Sequence, residues 1–228
     1  QRRENMVAQR KILLLGSGYV TTTVVEYLTR RPENHITIAN RTLANAENRT
    51  RDGHNSSQQV SVVQLDMEKD LEKLAELVEQ HEIVISLVPY IYHVAAAKVC
   101  LEKKKHLVTT SYISPAMREL DESAKNSGLI FMNEIGVDPG IDHLAAVKII
   151  ADARQEGAKI LSFYSWCGGL PAPQFANNPL KYKFSWSPRG VLAALQNTAK
   201  FLENGQVVNI EPQNLLASRR PLSMLDSL

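Results

Sequence analysis

The stretch that decides the fold is Gly16-Ser17-Gly18-Tyr19-Val20-Thr21, a glycine-rich turn near the start of the chain. It follows the apolar run of residues 11–15 and opens a segment in which apolar residues recur at helical spacing. This order predicts a strand, a tight turn and the beginning of a helix. The first N–H groups of a helix lack partners within it, and glycines let a phosphate approach them closely. The stretch therefore predicts a dinucleotide site; the alternative is a structural turn that holds no ligand.

The turn departs from the GxGxxG pattern at its last position, where Thr21 replaces the third glycine. That glycine normally allows close contact between helix and sheet, so we expect a looser contact here. The helical spacing of Val20, Val24, Val25 and Leu28 still supports the assignment, because burial outweighs the modest helix propensity of the neighbouring threonines.

Apolar runs alternate with helical segments along the first part of the chain. Residues 71–78, for example, have the spacing of an amphipathic crossover helix. Such alternation predicts an α/β fold with a Rossmann-type doubly wound parallel sheet. The six predicted strands are residues 11–15, 36–39, 60–64, 83–88, 106–109 and 129–132.

The composition and pattern of the sequence change after the sixth predicted strand, and we interpret the change as the start of a second α/β substrate domain. A helix is expected from residue 141 to about residue 155, and a strand at residues 159–165. Residues 167–190 are rich in Gly, Pro, Asn and aromatic residues, which is typical of ordered loops over a site. A helix at 191–201 and a strand at 206–210 are expected next. The predicted divisions are an N-terminal extension (1–10), a nucleotide-binding domain (11–142), a partial substrate-binding and catalytic domain (143–218) and a divergent tail (219–228).

Composition excludes several classes of function. The 228 residues are 44% hydrophobic, and the 26 basic and 24 acidic residues are dispersed, so no electrostatic footprint for nucleic acid stands out. No apolar stretch approaches the length of a membrane span, and no His/Cys set has metal-ligand spacing. Cys100 and Cys167 lie far apart, which favours a reducing compartment and hence the cytoplasm. Walker A, GxSxG and Tyr-x-x-x-Lys patterns are missing from the sequence.

The end of the second predicted strand bears on the choice of dinucleotide. A carboxylate there binds the ribose hydroxyls of NAD, whereas cations suit the 2′-phosphate of NADP. This chain has Asn40-Arg41-Thr42, and a guanidinium beside a hydroxyl can bind a phosphate. We therefore predict NADP(H) as the cofactor; the alternative is that Arg41 is an ordinary exposed residue at a helix start. Asp66, after the third strand, is placed to meet the adenine, although a turn aspartate would look the same.

Polar residues also follow the later strands. Ser111 and Tyr112 lie after the fifth strand, at the sheet edge where open α/β sheets bind ligands. Such hydroxyls could equally cap helices, which is what we expect of Ser114 before Pro115. Residues 133–143 combine two glycines, a proline, three carboxylates and a histidine, the composition of a rigid acid/base site. The alternative is that Asp142 caps the next helix and His143 lies in its first turn.

Five stretches together resemble the saccharopine reductases, also called saccharopine dehydrogenases (NADP, L-glutamate-forming). The resemblance covers residues 10–217, in the order and spacing of the family. The stretches are Val88-Pro89-Tyr90, Thr110-Ser111-Tyr112-Ile113-Ser114-Pro115-Ala116, residues 134–143, Cys167-Gly168-Gly169-Leu170-Pro171-Ala172-Pro173 and Tyr182-Lys183-Phe184-Ser185-Trp186-Ser187.

The resemblance implies an enzyme that condenses 2-aminoadipate 6-semialdehyde with L-glutamate and reversibly reduces the imine with NADPH to saccharopine, in lysine biosynthesis through aminoadipate. It implies substrate contacts from Ser111, Tyr112 and Asp138, and proton movement by Asp138, Tyr112 and Cys167. A buried Cys167 packed on Gly168 and Gly169 is the alternative. The resemblance places these residues at the cofactor: Ser17, Gly18, Tyr19, Val20, Asn40, Arg41, Thr42, Asp66, Met67, Val88, Thr110, Ser111, Val137, Asp138, Pro139 and Ser187.

The resemblance also brings departures. Family members are much longer, and the part missing here is expected to complete the substrate domain and to supply an arginine for the substrate carboxylates. We therefore expect a chain that binds NADP yet catalyses poorly or not at all, with a tail after Ser218 that no longer matches. The lysine-degrading animal counterpart carries an acidic residue at the position of Arg41, which favours the biosynthetic branch. A nucleotide-binding fragment, an imine reductase with another amino-acid substrate and a homodimer remain open alternatives.

Overall fold

The computed structural model describes residues 8–51 and 59–219. Most of the predicted N-terminal extension and of the predicted tail therefore lies outside the described residues. The strands are β1 (Arg10–Leu15), β2 (Asn34–Asn40), β3 (Val60–Gln64), β4 (Ile83–Ser86), β5 (His106–Thr109), β6 (Phe131–Met132), β7 (Ala199–Glu203) and β8 (Gln206–Ile210). The helices are α1 (Thr21–Leu28), α2 (Leu43–Arg51), α3 (Leu71–Gln80), α4 (His93–Glu102), α5 (Pro115–Arg118), α6 (Asp121–Asn126), α7 (Ile141–Gln155) and α8 (Pro188–Ala194). None of the helices in these two ranges is long and apolar enough to cross a membrane.

The first six strands form one parallel sheet in the order β3-β2-β1-β4-β5-β6. β1 pairs on one side with β2 and on the other with β4, so Ile12 lies between Ile36 and Ile83. The strand order reverses between β1 and β4, which is the topological switch point where open sheets of this kind bind ligands. The predicted doubly wound parallel sheet and its six strands are confirmed.

The core lies on both faces of this sheet. Leu13 and Leu15 of β1 pack on one face with residues of α3 and α4, whereas Ile12 and Leu14 pack on the other with Val25 of α1. Burial on both sides explains why β1 is a continuous apolar run rather than an alternating one.

The glycine turn between β1 and α1 has the predicted form. Gly16 has a φ of +101°, a backbone conformation that side chains with a Cβ rarely adopt. Thr21, at the third-glycine position, is fully buried, and its hydroxyl donates a hydrogen bond of 3.4 Å to the carbonyl oxygen of Gly16. The helix thus accommodates the threonine, whose hydroxyl bonds back to the turn.

A second tight turn follows β6 and leads into α7. Gly136 and Gly140 form a bridge, and a Cβ built on Gly140 would lie 2.2 Å from the carbonyl oxygen of Gly136. The predicted helix from residue 141 to about 155 is confirmed as α7. The predicted strand at 159–165 is wrong: these residues are irregular and exposed, because they pair with no other strand among the described residues.

By packing, the chain divides into two compact units, and the first ends at Gly169. The second unit contains α8 and the antiparallel hairpin β7-β8. The predicted strand at 206–210 is confirmed, but the predicted helix at 191–201 is wrong beyond Ala194. Asn204 and Gly205 both have positive φ, as a two-residue hairpin turn requires, and this turn brings residues 199–203 into pairing with β8. The predicted functional boundaries at residues 142 and 218 stay predictions.

Candidate functional site

The glycine turn lies directly beside the end of β4. A Cβ on Gly16 would be 3.0 Å from the carbonyl oxygen of Leu87 and 3.2 Å from the backbone nitrogen of Val88. The structure therefore brings the predicted cofactor residue Val88 to the turn, at the switch point of the sheet. The side chain of Val88 is partly buried and packs against the hydrophobic core.

The turn has the features of an anion site. Within the described residues, no hydrogen bond uses the backbone N–H groups of Ser17, Gly18, Tyr19 or Val20. A Cβ on Gly18 would meet no atom within 4 Å, so the space over this glycine is open, and Tyr19 and Val20 are exposed. Free N–H groups at the beginning of a helix beside open space suit a pyrophosphate. The turn thus fits a dinucleotide.

Asn40 is the last residue of β2, and Arg41 and Thr42 follow it at the same edge of the sheet. The Asn40 amide donates 2.9 Å to the carbonyl oxygen of Thr42, and Gln64 at the end of β3 donates 3.1 Å to the carbonyl oxygen of Arg41. These bonds hold the backbone around Arg41. Its side chain is exposed and makes no ion pair with the described residues, so the guanidinium is available to a phosphate.

Asp66 and Met67 follow β3, the next strand outward. Asp66 accepts a 3.0 Å hydrogen bond from the Glu68 N–H, the contact of a turn aspartate, and Met67 packs on the core. Glu68 accepts a hydrogen bond from the Tyr92 hydroxyl, which raises the pKa of Tyr92. Both interpretations of Asp66 therefore stay open, since only one of its two carboxylate oxygens is used in this turn.

The turn after β6 lies against the end of β5. The carbonyl oxygen of Ser111 accepts 3.1 Å from the Glu134 N–H, and a carboxylate oxygen of Glu134 accepts 3.1 Å from the Ile113 N–H. A Cβ on Gly136 would lie 3.7 Å from the Cβ of Thr110. Thr110 and Ser111 are thus brought together with the turn that carries Val137, Asp138 and Pro139.

Tyr112, Asp138 and Cys167 come close enough for their charges to interact. Partial burial and then the charge of Asp138 raise the pKa of Tyr112. Desolvation and then the charges of Asp138 and Asp142 raise the pKa of Cys167. Both groups are therefore neutral near pH 7 and can donate protons. Cys167 is exposed, so the alternative of a buried cysteine is wrong for the described chain.

His143 is in the first turn of α7, as the structural alternative expected, but the expected cap is wrong: α7 begins at Ile141 with Gly140 as its N-cap residue, so Asp142 is already inside the helix. Asp142 accepts 2.9 Å from the Gly140 N–H and 2.8 Å from the His143 ring. The hydrogen bond to Asp142 raises the pKa of His143. Asp142 thus stabilises the turn through its hydrogen bond with Gly140, and its negative charge also acts on Cys167.

Two serines named from the sequence cap helices in the structure, one in each compact unit. Ser114 caps α5 by accepting 3.1 Å from the Met117 N–H, which confirms that expectation. Ser187 belongs to the second unit, where it caps α8 by accepting 3.1 Å from the Gly190 N–H. The predicted place of Ser187 at the cofactor stays a prediction.

Sequence reasoning missed His93, the first residue of α4. This buried ring bonds to Ser86, Thr109 and Ser111, so it joins the ends of β4 and β5 beneath a predicted site residue. The signal was its position: the first turn of a helix that follows a parallel strand lies over the carboxyl edge of the sheet.

The sheet order, the glycine turn at the switch point and the cation beyond β2 define a Rossmann-type dinucleotide-binding protein. Comparison with known proteins makes the class specific. The saccharopine dehydrogenase NADP binding domain matches residues 12–132, and the saccharopine dehydrogenase C-terminal domain matches residues 136–227. The chain belongs to the saccharopine dehydrogenase family. The resemblance drawn from the sequence and the predicted cofactor, NADP(H), are confirmed.

Individual relatives agree with this assignment. Saccharopine dehydrogenase (NADP(+), L-glutamate-forming) of Schizosaccharomyces pombe is 52% identical over 210 residues, which are 92% of this chain and 46% of that protein. The mitochondrial alpha-aminoadipic semialdehyde synthase of Rattus norvegicus is 44% identical over 90% of this chain and 22% of its own length. The structure of apo saccharopine dehydrogenase (L-Glu forming) from Saccharomyces cerevisiae superposes with a TM-score of 0.82 at 43% identity, covering 94% of this chain and 47% of that one. The chain thus spans about half the length of the saccharopine dehydrogenases it matches.

Proposed function

We propose that this chain is the nucleotide-binding and proton-donating part of an L-glutamate-forming saccharopine dehydrogenase. That enzyme joins 2-aminoadipate 6-semialdehyde to L-glutamate as an imine, with loss of water, and reversibly reduces the imine to saccharopine in lysine biosynthesis. The observation that carries the proposal is that the glycine turn, Arg41, Tyr112 and the turn with Asp138 follow strands of one parallel sheet at its carboxyl edge, and that Cys167 interacts with Asp138.

The first unit provides the contacts that NADPH needs. The N–H groups of residues 17–20 would hold the pyrophosphate, and Arg41 with Thr42 would hold the 2′-phosphate. Val88, Thr110 and Val137 would line the path from the turn toward the reacting end. When bound, NADPH supplies the hydride that reduces the imine carbon.

Three side chains of the first unit would act on the reacting nitrogen. The raised pKa values of Tyr112 and Cys167 keep both groups protonated near neutral pH, so either can donate a hydrogen bond or a proton. Their protonation argues against Cys167 as a nucleophile, since nucleophilic attack needs the thiolate. The charge of Asp138 acts on both groups, and its carboxylate would pair with a substrate ammonium or with the protonated imine.

The carboxylates of the turn favour a cationic reactant. Asp138, Glu134 and Asp142 all act on the pKa of Tyr112, so their charges converge on one region. A protonated imine is a better hydride acceptor than a neutral one, and its positive charge is stabilised by nearby carboxylates. The local charge therefore supports imine chemistry rather than attack on a neutral carbonyl.

The test is a pair of measurements on the purified chain. Titration with NADPH and NADH should give binding with a preference for NADPH, and oxidation of NADPH should require both the semialdehyde and glutamate. Equal affinity for NADPH and NADH, or tighter binding of NADH, would contradict the cofactor assignment. Turnover with another amino acid in place of glutamate would identify a different imine reductase.

A second candidate is a nucleotide-binding fragment without turnover. It is favoured by the share of the relatives that the chain spans, 46% of the Schizosaccharomyces pombe enzyme. NADPH binding without semialdehyde-dependent and glutamate-dependent oxidation would select this candidate.

We also infer a cytoplasmic protein from the two unpaired cysteines, Cys100 and Cys167. Cell fractionation with an antibody to the chain tests the compartment. Sedimentation tests the homodimer that the sequence left open. The compartment and the homodimer are proposals that do not depend on whether the chain is an active enzyme or a nucleotide-binding fragment.

A further inference from the structure

The site contains one buried titratable group that the proposed function does not use. His93 is 4% exposed, and its ring nitrogens meet three hydroxyls. Nδ1 lies 2.9 Å from the Ser86 hydroxyl; Nε2 lies 2.8 Å from the Ser111 hydroxyl and 3.0 Å from that of Thr109. Ser86 and Thr109 are also buried, whereas Ser111 is half-buried and follows the end of β5.

The ring is neutral at physiological pH, because burial lowers the pKa of His93 to about 4. A neutral imidazole has one N–H and one lone pair. If Nε2 carries the proton, it donates to Ser111 and leaves the serine hydroxyl proton free for a ligand. If Nε2 carries the lone pair, it accepts that proton and leaves the serine oxygen free as an acceptor. In both tautomers the hydrogen bond to the ring holds the Ser111 side-chain oxygen in place.

We propose that His93 is a positioning residue that orients the Ser111 hydroxyl toward bound NADPH. The role rests on the proposed function, because it assumes that Ser111 contacts the cofactor. Ser111 is otherwise held only through its backbone: its N–H donates 3.3 Å to the Thr109 hydroxyl, and its carbonyl oxygen accepts from Glu134. Among the described residues, the side-chain oxygen of Ser111 has a hydrogen bond only with His93.

The chain contains a matched histidine at the opposite edge of the sheet. His81 precedes β4, whereas His93 follows it. His81 is also buried; its Nδ1–H donates to the carbonyl oxygen of Leu77, and its Nε2 lies 2.8 Å from the Thr37 hydroxyl. It contacts none of the predicted site residues. Replacement of His81 therefore reports the cost of losing a buried, hydrogen-bonded histidine without any effect on the site.

The test compares His93→Asn, His93→Gln, Ser111→Ala and His81→Asn in the full chain. The asparagine amide reaches the place of Nδ1 beside Ser86, and the glutamine amide reaches the place of Nε2 beside Ser111. We expect His93→Asn to raise the Kd for NADPH about fivefold, the effect of one lost hydrogen bond, and His93→Gln to restore most of the affinity. His93→Asn should add less than about twofold in the Ser111→Ala background, because the partner is already missing.

Thermal unfolding separates this role from a structural one. His93→Asn, His93→Gln and His81→Asn should all lower Tm, but only His93→Asn should lower NADPH affinity. Equal loss of affinity in His93→Asn and His93→Gln, or full affinity in His93→Asn, would overturn the proposal. A wild-type chain that does not bind NADPH would instead contradict the proposed function, and the positioning role of His93 with it.

A further measurement needs no variant of the histidine. In the ¹⁵N spectrum of the ring nitrogens, Ser111→Ala should shift the Nε2 signal of His93 and leave both signals of His81 in place. An unchanged Nε2 signal would overturn the proposed contact even where the His93 variants fail to fold.

Discussion

Gly16 and Leu87 approach each other so closely that a Cβ on the glycine would lie 3.0 Å from the leucine carbonyl oxygen. This contact joins the turn after β1 to the end of β4, the two strands between which the sheet order reverses. The glycine is needed for two independent reasons, since its φ of +101° is also unfavourable for any residue with a Cβ.

Gly16→Ala should therefore destabilise the first unit. A strained φ and a forced contact with backbone each cost about 1–3 kcal/mol, so we expect a loss of at least about 2 kcal/mol in the free energy of unfolding. Urea denaturation, monitored by circular dichroism, measures this loss of stability. A variant as stable as the wild type would show that the turn does not have this conformation.

Gly18→Ala should behave in the opposite way. A Cβ there meets nothing within 4 Å, so we expect a change in stability below about 1 kcal/mol. The same methyl group would occupy the open space over the N–H groups, and NADPH affinity should fall by about tenfold. Fluorescence titration checks the affinity. Unchanged binding would place the pyrophosphate elsewhere.

Arg41→Ala should reduce the preference for NADPH over NADH. A charge-assisted hydrogen bond contributes about 1.5–3 kcal/mol, so the ratio of the two Kd values should fall by about 10-fold to 100-fold, mainly through weaker NADPH binding. Raised salt should diminish the wild-type preference, because an exposed guanidinium is screened.

Arg30→Ala is the matched control for that substitution. Arg30 lies just after α1, with its guanidinium 4.9 Å from the centre of the Tyr27 ring, away from the end of β2. The Arg30→Ala substitution should leave the preference for NADPH over NADH unchanged. If both arginine variants lower the preference equally, general surface charge rather than a contact with the 2′-phosphate is responsible.

Asp138→Asn should make Cys167 more reactive. The negative charge of Asp138 raises the pKa of the thiol, so its removal lowers that pKa and increases the thiolate fraction at every pH below it. We expect alkylation by iodoacetamide at pH 8 to become about threefold faster, the effect of roughly one charge near the surface. Mass spectrometry of the peptide with Cys167 measures the rate.

Two internal comparisons accompany the alkylation experiment. Cys100 is buried and has a pKa raised to about 12 by desolvation, so it should stay unmodified in the folded chain. Asp152→Asn removes a carboxylate that pairs with Lys148 at 2.7 Å and does not act on Cys167. An equally accelerated alkylation of Cys167 in Asp152→Asn, or an unchanged alkylation rate in Asp138→Asn, would contradict the proximity of Asp138 and Cys167.

The parts of the fold that the sequence predicted well depend on local patterns. The run at 11–15 corresponds to β1 because a strand buried on both faces must be apolar throughout. The run at 60–64 corresponds to β3, an edge strand whose valines are partly buried and whose two polar residues, Ser61 and Gln64, are exposed. The failures have non-local causes. Residues 159–165 have the composition of a strand, but a strand also needs a neighbour to pair with. Residues 199–201 continued a helical pattern, but the turn at Asn204-Gly205 placed them in a hairpin.

Within the candidate site, the chain order located the residues but not their partners. Ser111, Tyr112 and Asp138 could be predicted at strand ends, since carboxyl ends of parallel strands meet at one edge. The position of His93 at the start of a helix after a parallel strand could place it at the same edge, but a lone histidine in an apolar helix does not reveal that three hydroxyls at the ends of two strands surround it.

By itself, the order of residues determined the alternation of strands and helices, the glycine turn, the cation after β2 and the likeness to one enzyme family, all of which are encoded by neighbours along the chain. The tertiary structure alone decided that Thr21 fits beneath the turn, that Cys167 lies near Asp138 and that His93 holds Ser111. The last two contacts join residues far apart in sequence, and only the packing of the sheet and its helices brings such residues within hydrogen-bonding or electrostatic range. The first is local, but the sequence does not show that the Thr21 hydroxyl bonds back to the turn.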